Sequence, residues 1–480
     1  MGAEPPDDLA PSGAASQRFP TDFHDTPSDT PNPAADRRSR WRNQDREISR
    51  LAIPAFAALI SEPLFLLADA AIVGHLGTAQ LAALGIAGTV VQTVVGLFVF
   101  LAYGTTSSVA RSVGAGDRRG ALSVGIDGIW LAVVIGTVAG TATALFTPRI
   151  VDAFGTSPDV AAYAVVYLRI AAWGIPALLL MFAATGVLRG LQDTRTPLAV
   201  AVVANLVNIG LNVLFVYGFG WGIAGSAIGT LVAQGVAAAV IVGVVTRAAS
   251  RLGAALVPHR PGVIAAMQAG LPLLVRTLTL RLALLLGTYV AASISTVAVA
   301  AHQVAFTIWA FLAFALDAIA IAGQAITGRL LGAGDAAAAR AATRRMMFWG
   351  LVCGVALGVL TAAVRPWVVP LFTTDAQVQH LLSAVLLIVA LHQPVSGIVF
   401  VLDGVLIGAG DGRYLAWAGL VTLLAFVPMA LAVLWFDGGL TSLWWAFSAF
   451  MVVRMATLLW RERGDAWLVL GAAPAARRRG

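Results

Sequence analysis

Long apolar stretches, separated by short polar segments, recur from about residue 50 to residue 460 of the chain. Runs of about 20 apolar residues are long enough to cross the hydrocarbon core of a bilayer as α-helices. Open sheets cannot cross lipid, and these runs are too long for barrel strands. The pattern predicts an all-α integral membrane protein with twelve transmembrane helices, at residues 50–74, 80–108, 120–147, 159–187, 197–219, 223–246, 263–291, 296–327, 341–364, 377–406, 414–436 and 439–460.

The composition supports a membrane protein. Hydrophobic residues make up 59% of the chain and charged residues only 11%, whereas soluble domains carry about 25% charged residues. Residues 1–47 are rich in proline, serine, aspartate and arginine without apolar periodicity, which predicts a disordered tail. The single cysteine, Cys353, excludes a disulfide framework and a cysteine metal site within one chain.

Arginines on the loops predict how the helices are oriented. If the N-terminus is cytoplasmic, the loops on that side carry most of the arginines, and the loops on the other side hold only Arg149 and Arg365. Cytoplasmic loops of membrane proteins are enriched in basic residues. We therefore expect a multi-pass protein of the cytoplasmic (plasma) membrane with both termini in the cytoplasm, where the basic charge reflects topology and not nucleic-acid binding.

An internal repeat relates the two halves of the chain, because a shift of 218 residues superposes motifs at four separate places. A fixed period is typical of duplication. The pairs are Pro54 with Pro272; Arg111 and Gly-Ala-Gly-Asp at 114–117 with Arg329 and the same four residues at 332–335; Pro148, Val151, Phe154 and Thr156 with Pro366, Val369, Phe372 and Thr374; and Val187, Leu188, Gly190, Asp193 and Arg195 with Val405, Leu406, Gly408, Asp411 and Arg413.

The repeat predicts two six-helix lobes that enter the membrane in the same direction, related by an axis along the membrane normal. The expected organisation is a cytoplasmic tail at 1–47, an N-terminal lobe at 48–247, a cytoplasmic linker at 248–262, a C-terminal lobe at 263–463 and a cytoplasmic tail at 464–480. Two lobes that rock about a central site are a design for alternating access. The repeat therefore favours a transporter.

Two acidic residues in the first span are candidates for proton coupling. Charged side chains inside spans are costly and mark functional sites by default. Glu62 and Asp69 are seven residues apart, so they share one helix face. Burial disfavours the charged form of a carboxylate, which can therefore take up and release a proton. The alternative is a structural carboxylate bonded to a neighbouring helix.

Amides supply the other candidates in the N-terminal half. Asn205, Asn208 and Asn212 form one polar stripe on the fifth span. They are candidates for hydrogen bonds to substrate or to Asp69, and the alternative is helix–helix adhesion through polar amides. We expect a substrate cavity between or within the two halves, lined by spans one, two, four and five, and we assign the three asparagines and Gln92 of the second span to it.

A second polar network is predicted in the C-terminal half. Its members are Arg276, Arg281, Gln303, Asp317 and Asp403. Asp317 is near the middle of its span, so we expect it to pair with an arginine of span seven.

Sequence motifs for catalysis are missing. The Gly-Ala-Gly-Asp turns lack the lysine and the preceding strand of a phosphate loop, so we interpret them as tight turns with helix caps. There is no Walker A motif, no His-Glu-x-x-His and no Gly-x-Ser-x-Gly. We expect no enzyme activity, no cofactor, no metal and no direct use of ATP, in a monomer whose partners are a small-molecule substrate and the bilayer.

With these residues in view, the chain resembles the multidrug and toxic compound extrusion (MATE) family, and more closely the branch of DNA-damage-inducible protein F. The resemblance covers about residues 48–465. It is carried by Pro54 to Gly77, by Leu188 to Thr194, by Gly222 to Ala227, and by Ala300 to Gln303 continuing to Gly332 to Asp335.

The resemblance implies efflux of organic, often cationic compounds against a proton or sodium gradient, with Asp69 as the proton-linked residue. The chain departs from the family in two places. Asn212 stands where many members carry an aspartate, and span seven lacks the acid of sodium-dependent members. The first departure makes Asp69 more critical or the coupling weaker, and the second favours protons over sodium.

The leading hypothesis is an antiporter that exports cationic or amphipathic small molecules in exchange for protons. One alternative is a flippase for lipid-linked or polysaccharide precursors, for which 13 or 14 spans and a cavity rich in arginine would be typical. A sodium-coupled exporter and a non-transport membrane protein are further alternatives, and the second of these predicts no dependence on any gradient.

Overall fold

Twelve long helices form the part of the chain that the structure describes. The structure, a computed structural model, describes residues 33–472, with side chains from residue 41 onward. The helices are α1 (Pro33–Gly74), α2 (Thr78–Gly114), α3 (Arg118–Asp152), α4 (Pro158–Gly190), α5 (Arg195–Gly218), α6 (Gly222–Arg251), α7 (Arg260–Ile294), α8 (Thr296–Gly332), α9 (Ala336–Phe372), α10 (Ala376–Gly408), α11 (Gly412–Trp435) and α12 (Leu440–Arg463).

All twelve helices are long and apolar enough to cross a membrane, and the described residues contain no strand. The predicted fold class is therefore confirmed. Local breaks interrupt three of the helices. Two turn residues divide α2 after Leu97, a 3₁₀ turn at Ala172–Gly174 precedes Pro176 in α4, and α5 ends in a π turn at Leu214–Gly218.

The first helix is longer than the sequence predicted. It begins at Pro33, so residues 33–47 of the segment that we expected to be disordered are helical, and residues 1–32 lie outside the described part. The compact unit that contains both lobes begins at Asn43. Within it, Asp45 accepts two hydrogen bonds of 2.7 Å from Arg345 of α9, and Glu47 pairs with Arg329 of α8 at 2.5 Å. These ion pairs fasten residues 45–47 of α1 to α8 and α9.

Packing within each half follows the repeat. In the first half α4 packs against α2 and α3, and α5 packs against α6. In the second half α10 packs against α8 and α9, and α11 packs against α12. The same pattern of neighbours thus recurs six helices later, giving an N-terminal lobe (α1–α6) and a C-terminal lobe (α7–α12).

Capped turns join the equivalent helices α2–α3 and α8–α9. Gly116 and Gly334 have φ angles of 82° and 80°, which residues other than glycine rarely adopt. Asp117 and Asp335 then accept backbone hydrogen bonds from Gly120 at 2.7 Å and Ala338 at 2.8 Å. The interpretation of these sequences as turns with helix caps is confirmed.

One turn of the first lobe is strained relative to its repeat. Gln192 has a φ of 65°, and its equivalent in the second lobe is Gly410, with a φ of 73°. The buried side-chain amide nitrogen of Gln192 also lacks a hydrogen-bond partner among the described residues. We expect Gln192→Gly to raise the free energy of unfolding by about 1 kcal/mol, since a left-handed conformation costs most residues that amount. Thermal denaturation in detergent checks this, with Gly410→Gln as the reciprocal variant; a stabilised Gly410→Gln protein would contradict the explanation.

Helix backbones of the two lobes pack directly against each other at one end of the molecule. We call this end the arginine-rich face; it carries the α2–α3, α4–α5, α6–α7, α8–α9 and α10–α11 connections. Gly114 of α2 lies against the backbone of Arg329, and Gly332 of α8 lies against the backbone of Arg111. These two contacts are exchanged by the 218-residue shift. The lobes therefore meet about the axis of the repeat, and both glycines permit the close approach because they lack a Cβ.

The C-terminal segment bridges the lobes at the same face. The Arg111 guanidinium donates a 2.6 Å hydrogen bond to the carbonyl of Val469, and the amide of Gly471 donates one of 2.9 Å to the carbonyl of Leu331. Trp467 is buried. The segment from 464 to 471, expected to be a tail, is thus docked across α2 and α8.

Candidate functional site

A buried carboxylate lies in the interior of the N-terminal lobe. Asp69 of α1 is only 3% exposed. Its Oδ1 atom accepts 2.8 Å hydrogen bonds from the Asn212 amide of α5 and from the Ser226 hydroxyl of α6. The Tyr167 hydroxyl of α4 lies 3.4 Å from Oδ2. Four helices of one lobe thus converge on a single carboxylate, which we call the Asp69 pocket.

The two carboxylate oxygens of Asp69 differ in the hydrogen bonds that they accept. Oδ1 has two short hydrogen bonds, whereas Oδ2 has one that is at the long limit of such a bond. Among the described residues no basic side chain forms an ion pair with it. A buried carboxylate without a counter-charge is costly in its ionised form. The arrangement therefore leaves Oδ2 as the atom where a proton adds most readily.

Polar contacts hold α5 against α1 beside the pocket. The Asn205 amide donates to the carbonyl of Ser61 at 3.0 Å, and the Tyr217 hydroxyl donates to the carbonyl of Ile72 at 2.7 Å. The predicted asparagine stripe therefore faces α1 with Asn205 and Asn212. Asn208 is also buried, but its amide oxygen has no hydrogen-bond partner among the described residues.

Close packing places Asn212. Its side-chain oxygen lies against the Cα of Gly229 on α6, in space that a Cβ at residue 229 would occupy. Small residues at such contacts let transmembrane helices approach closely. Gly229 therefore allows the Asn212 amide to reach Asp69.

Sequence reasoning missed two of the residues that bind Asp69. Ser226 lies in the Gly222–Ala227 motif quoted for the family resemblance, but its hydroxyl was not assigned a role there. Tyr167 is a polar-ended side chain in an apolar span, where a buried hydroxyl usually requires a partner. Those two features were the available signals.

The pocket exists in one lobe only. The repeat makes Gly287 equivalent to Asp69, Ala430 equivalent to Asn212, and Trp444 equivalent to Ser226. The acid and two of its hydrogen-bond donors in the first lobe are thus replaced by a glycine, an alanine and a tryptophan in the second. The two lobes therefore differ at this position.

The remaining N-lobe candidates are not part of this pocket. Glu62 is exposed, so it shares a helix face with Asp69 but not its buried surroundings. Gln92 on α2 is exposed as well. Neither side chain has a hydrogen-bond partner among the described residues.

The polar network of the C-terminal lobe differs from the prediction in its partners. Asp403 of α10 accepts from Arg454 of α12 at 2.6 Å and also forms a very close ion pair with Arg276 of α7. Asp317, expected to pair with an arginine of span seven, lies within electrostatic range of Arg276 but forms no ion pair with it. Both arginines point to Asp403, whose side chain is 7% exposed.

A charged cluster joins the lobes above their contact. Tyr103 of α2 and Arg189 of α4 belong to the N-terminal lobe, and both interact electrostatically with Asp317 of α8. Tyr103 also interacts with Arg276 and Arg454. We call these five residues and Asp403 the floor cluster, because the lobes diverge beyond it.

Packing between the lobes weakens toward the opposite face. Residues 100–114 of α2 pack closely against α8, whereas residues 78–97 pack against α4 of their own lobe and make few contacts with the C-terminal lobe. Beyond the turn in α2, Gly96 lies beside the Arg281 guanidinium of α7. Gln92, Thr89 and Gly85 follow Gly96 on the same side of the helix. All three are exposed. The equivalent side of α8 carries Gln303 and Thr307, which are exposed too. Polar side chains on both walls thus line a cleft that is closed at the arginine-rich face and open at the other.

This architecture defines the class of protein. Twelve spanning helices in two repeat-related lobes, with a cleft between them and a buried carboxylate inside one of them, make a polytopic membrane transporter fold. The family model described as MatE matches residues 54–214 and 272–435, one match in each repeat. The chain belongs to the MATE family.

Curated relatives span nearly the whole chain. Protein DETOXIFICATION 44, chloroplastic, of Arabidopsis thaliana is 30% identical over 444 residues, covering 89% of this chain and 84% of the relative. The DNA damage-inducible protein F of Escherichia coli (strain K12) is 27% identical, covering 88% of this chain and 94% of its own length. Homology thus extends over both lobes, and the resemblance to this family is confirmed.

Solved structures share the fold. The Vibrio cholerae MATE transporter VcmN in its bent form aligns with a TM-score of 0.82 at 21% identity, covering 90% of this chain and 98% of that one. A MOP superfamily transporter from Pyrococcus furiosus aligns with a TM-score of 0.81 at 23% identity, over 88% of this chain and 96% of that one. These likenesses concern the architecture alone.

Proposed function

We propose that the protein is a secondary active exporter that moves amphipathic organic molecules out of the cell in exchange for protons. Asp69 carries the proton, and the cleft between the lobes carries the substrate. The arginine-rich face lies in the cytoplasm, in agreement with the distribution of loop arginines. The cleft then opens outward in the state described above.

The Asp69 pocket is the observation on which the proposal depends. Its carboxylate is buried, has no cationic partner among the described residues and keeps one poorly bonded oxygen. A proton on Oδ2 removes the desolvation cost of the charge and allows Oδ2 to donate to Tyr167. Protonation thereby changes the hydrogen bonds that tie α1 to α4, α5 and α6, which is a way to shift the lobe between two arrangements.

Lobe motion then gives alternating access. The reciprocal contact of Gly114 and Gly332 with the facing backbones closes the cytoplasmic end. Opening that end requires the contact to separate while the outer walls of the cleft approach each other. The docked residues 465–471 must also release, because they bond to both α2 and α8.

The names of relatives support export of organic compounds. A relative from Thermotoga maritima, 24% identical over 372 residues, is named a probable multidrug resistance protein. The family resemblance implies cationic substrates, whereas polar side chains on the walls of otherwise apolar helices favour amphipathic ones.

Transport in proteoliposomes tests the coupling. We expect a fluorescent naphthalene amphiphile to move into the acidic compartment when a pH gradient is imposed on the purified full chain, and an internal pH dye to report protons moving the other way. The rate of amphiphile transport should not change when a sodium gradient, made by replacing potassium on one side of the membrane, is added at constant pH. Transport that follows sodium alone would overturn proton coupling, and transport that follows neither gradient would overturn secondary active export.

A further inference from the structure

An arginine without a counter-charge lies in the transmembrane part of the cleft. Arg281 is the twenty-second residue of α7, which has 35 residues, so it lies about 30 Å along the helix at 1.5 Å per residue. Its side chain is exposed. Among the described residues no carboxylate forms an ion pair with it and no hydrogen bond to its guanidinium is found.

The guanidinium of Arg281 extends across the gap between the lobes. A methyl group at Gly96 of α2 would lie only 2.7 Å from its Nη2 atom. Gly96 belongs to the cleft wall of α2, directly below Gln92 on the same helix side. Arg281 is therefore a residue of the C-terminal lobe whose charged end faces the cleft wall of the N-terminal lobe.

A free charge at this depth calls for an explanation. Arginine near the middle of a span costs about 2.5–3.5 kcal/mol on insertion scales, and such residues face cavities and mark substrate pathways. Arg276, five residues earlier on the same helix, satisfies its charge with Asp403. Arg281 has no such structural role in the described residues, so its cost is consistent with a ligand.

The balance of charge around the cleft is positive. The floor cluster contains three arginines and two aspartates: Arg189, Arg276 and Arg454 with Asp317 and Asp403. Arg281 adds a fourth positive charge above it. Glu62, the exposed acid of α1, leaves the sum positive when it is included, and Asp69 is enclosed in its own pocket.

We propose that the cleft recognises the anionic group of an amphipathic organic acid, a carboxylate, sulfonate or phosphate, through Arg281. The planar guanidinium matches such groups in two-point hydrogen bonding. Gln92 of α2 supplies an amide donor on the opposite wall. Phe311 and Phe314, in contact with each other on the cleft side of α8, offer the aromatic surface for the apolar part of the ligand. This assignment names the substrate class of the proposed exporter and rests on the cleft being its binding site.

Two probes with one ring system and opposite charges test the sign of the site. Naphthalene-1-sulfonate and N,N,N-trimethyl-1-naphthylammonium differ in their charged group alone. Binding of each to the purified full chain is measured by fluorescence titration at equilibrium, without any gradient. We expect wild type to bind the sulfonate at least tenfold more tightly than the ammonium compound.

Variants of Arg281 locate the site. Arg281→Gln should weaken sulfonate binding at least tenfold, and Arg281→Lys, which keeps the charge without the planar fork, should recover part of it. Arg149→Gln removes an arginine from the opposite face outside the cleft and should leave binding unchanged. Tighter binding of the ammonium probe by wild type, or unaltered sulfonate binding by both Arg281 variants, would refute the assignment.

Two further experiments identify the source of the anion and distinguish anion binding from proton coupling. If phosphatidylglycerol in the detergent micelle competes with the sulfonate in wild type, the recognised anion belongs to a lipid headgroup; if it does not compete, the anion is a soluble acid, and both results keep the anion site. Binding is measured without a gradient, so it does not depend on proton coupling. If an Asp69→Asn protein binds the sulfonate but fails to transport it, the anion site is intact and the coupling is lost. Loss of sulfonate preference in a protein that still exchanges protons refutes the anion site alone.

Discussion

Replacement of Asp69 by asparagine abolishes gradient-driven export in the mechanism proposed here. The substituted amide keeps the size of the carboxyl group and can still accept, through its side-chain oxygen, the hydrogen bonds of Asn212 and Ser226. It carries no exchangeable charge, so the pocket stays in a neutral state that resembles the protonated carboxyl. We expect transport of the naphthalene amphiphile under a pH gradient to fall to the level of protein-free vesicles.

Retention of the fold and of substrate binding distinguishes loss of coupling from misfolding. The Asp69→Asn substitution removes a buried uncompensated charge, so we expect the thermal denaturation midpoint in detergent to be equal to or above that of wild type. Binding of the amphiphile at equilibrium should persist. A protein with low stability and no binding would indicate a structural carboxylate and would remove Asp69 from the mechanism.

A second buried acid of the same lobe provides the matched control. Asp127 of α3 accepts a 2.8 Å hydrogen bond from the backbone amide of His259, in the linker between the lobes. Asp127→Asn removes a carboxylate of the same lobe and preserves an acceptor for that bond. We expect its transport to follow the pH gradient as in wild type. Equal loss of transport in both variants would assign the effect to the removal of any buried acid.

The architecture was accessible from the sequence because it depends on long, repeated signals. Each span is a run of apolar residues whose length is dictated by the bilayer, and an error of a few residues at its ends changes nothing. The 218-residue shift relates Pro54 to Pro272, and the family model begins its two matches at these same residues. A glycine followed by an aspartate predicts a tight turn with a helix cap from local sequence alone, and the turns at Gly116 and Gly334 have this structure.

The partners of individual side chains were harder to predict from the sequence, because they depend on how each helix is oriented about its axis relative to its neighbours. Asp317 and Asp403 are both acids in the interior of C-lobe spans, and the sequence offers no measure of which of them faces Arg276. Tyr167 reaches Asp69 only because α4 passes beside α1. Short-range patterns identify a polar residue in a span, whereas its partner is a property of the packed lobe.

The side chains that face the cleft were hard to predict for a related reason. Gln92 and Gln303 were expected in the cavity and in the C-lobe network, and both lie exposed on the cleft walls. Whether a polar residue of a span faces a cavity or a neighbouring helix depends on the distance between lobes, which no local pattern encodes. The contact of Gly114 and Gly332 sets that distance at one end and leaves the other end open.

Replacement of Asp403 by asparagine should cause the largest loss of stability in the C-terminal lobe. Asp403 is the shared counter-charge of Arg276 and Arg454, whose side chains are 13% and 12% exposed. Without it, two buried guanidinium groups repel each other, and neither has another ion-pair partner among the residues that the structure describes. Removing one member of a buried ion pair costs about 3–5 kcal/mol. We expect a decrease of that order in the free energy of unfolding, measured by denaturant titration in mixed micelles.

The charge balance of the cluster can be separated from its packing by a second substitution. Arg454→Gln added to Asp403→Asn removes one of the two uncompensated charges, so the double variant should be more stable than Asp403→Asn alone, as expected for coupled neighbours. Asp465→Asn is the control, because its ion pair with Arg340 lies at the surface with the carboxylate 90% exposed, and such pairs contribute little. If Asp403→Asn unfolds like wild type, Asp317 is the acid that neutralises Arg276, and the floor cluster must be described with Asp317 at its centre.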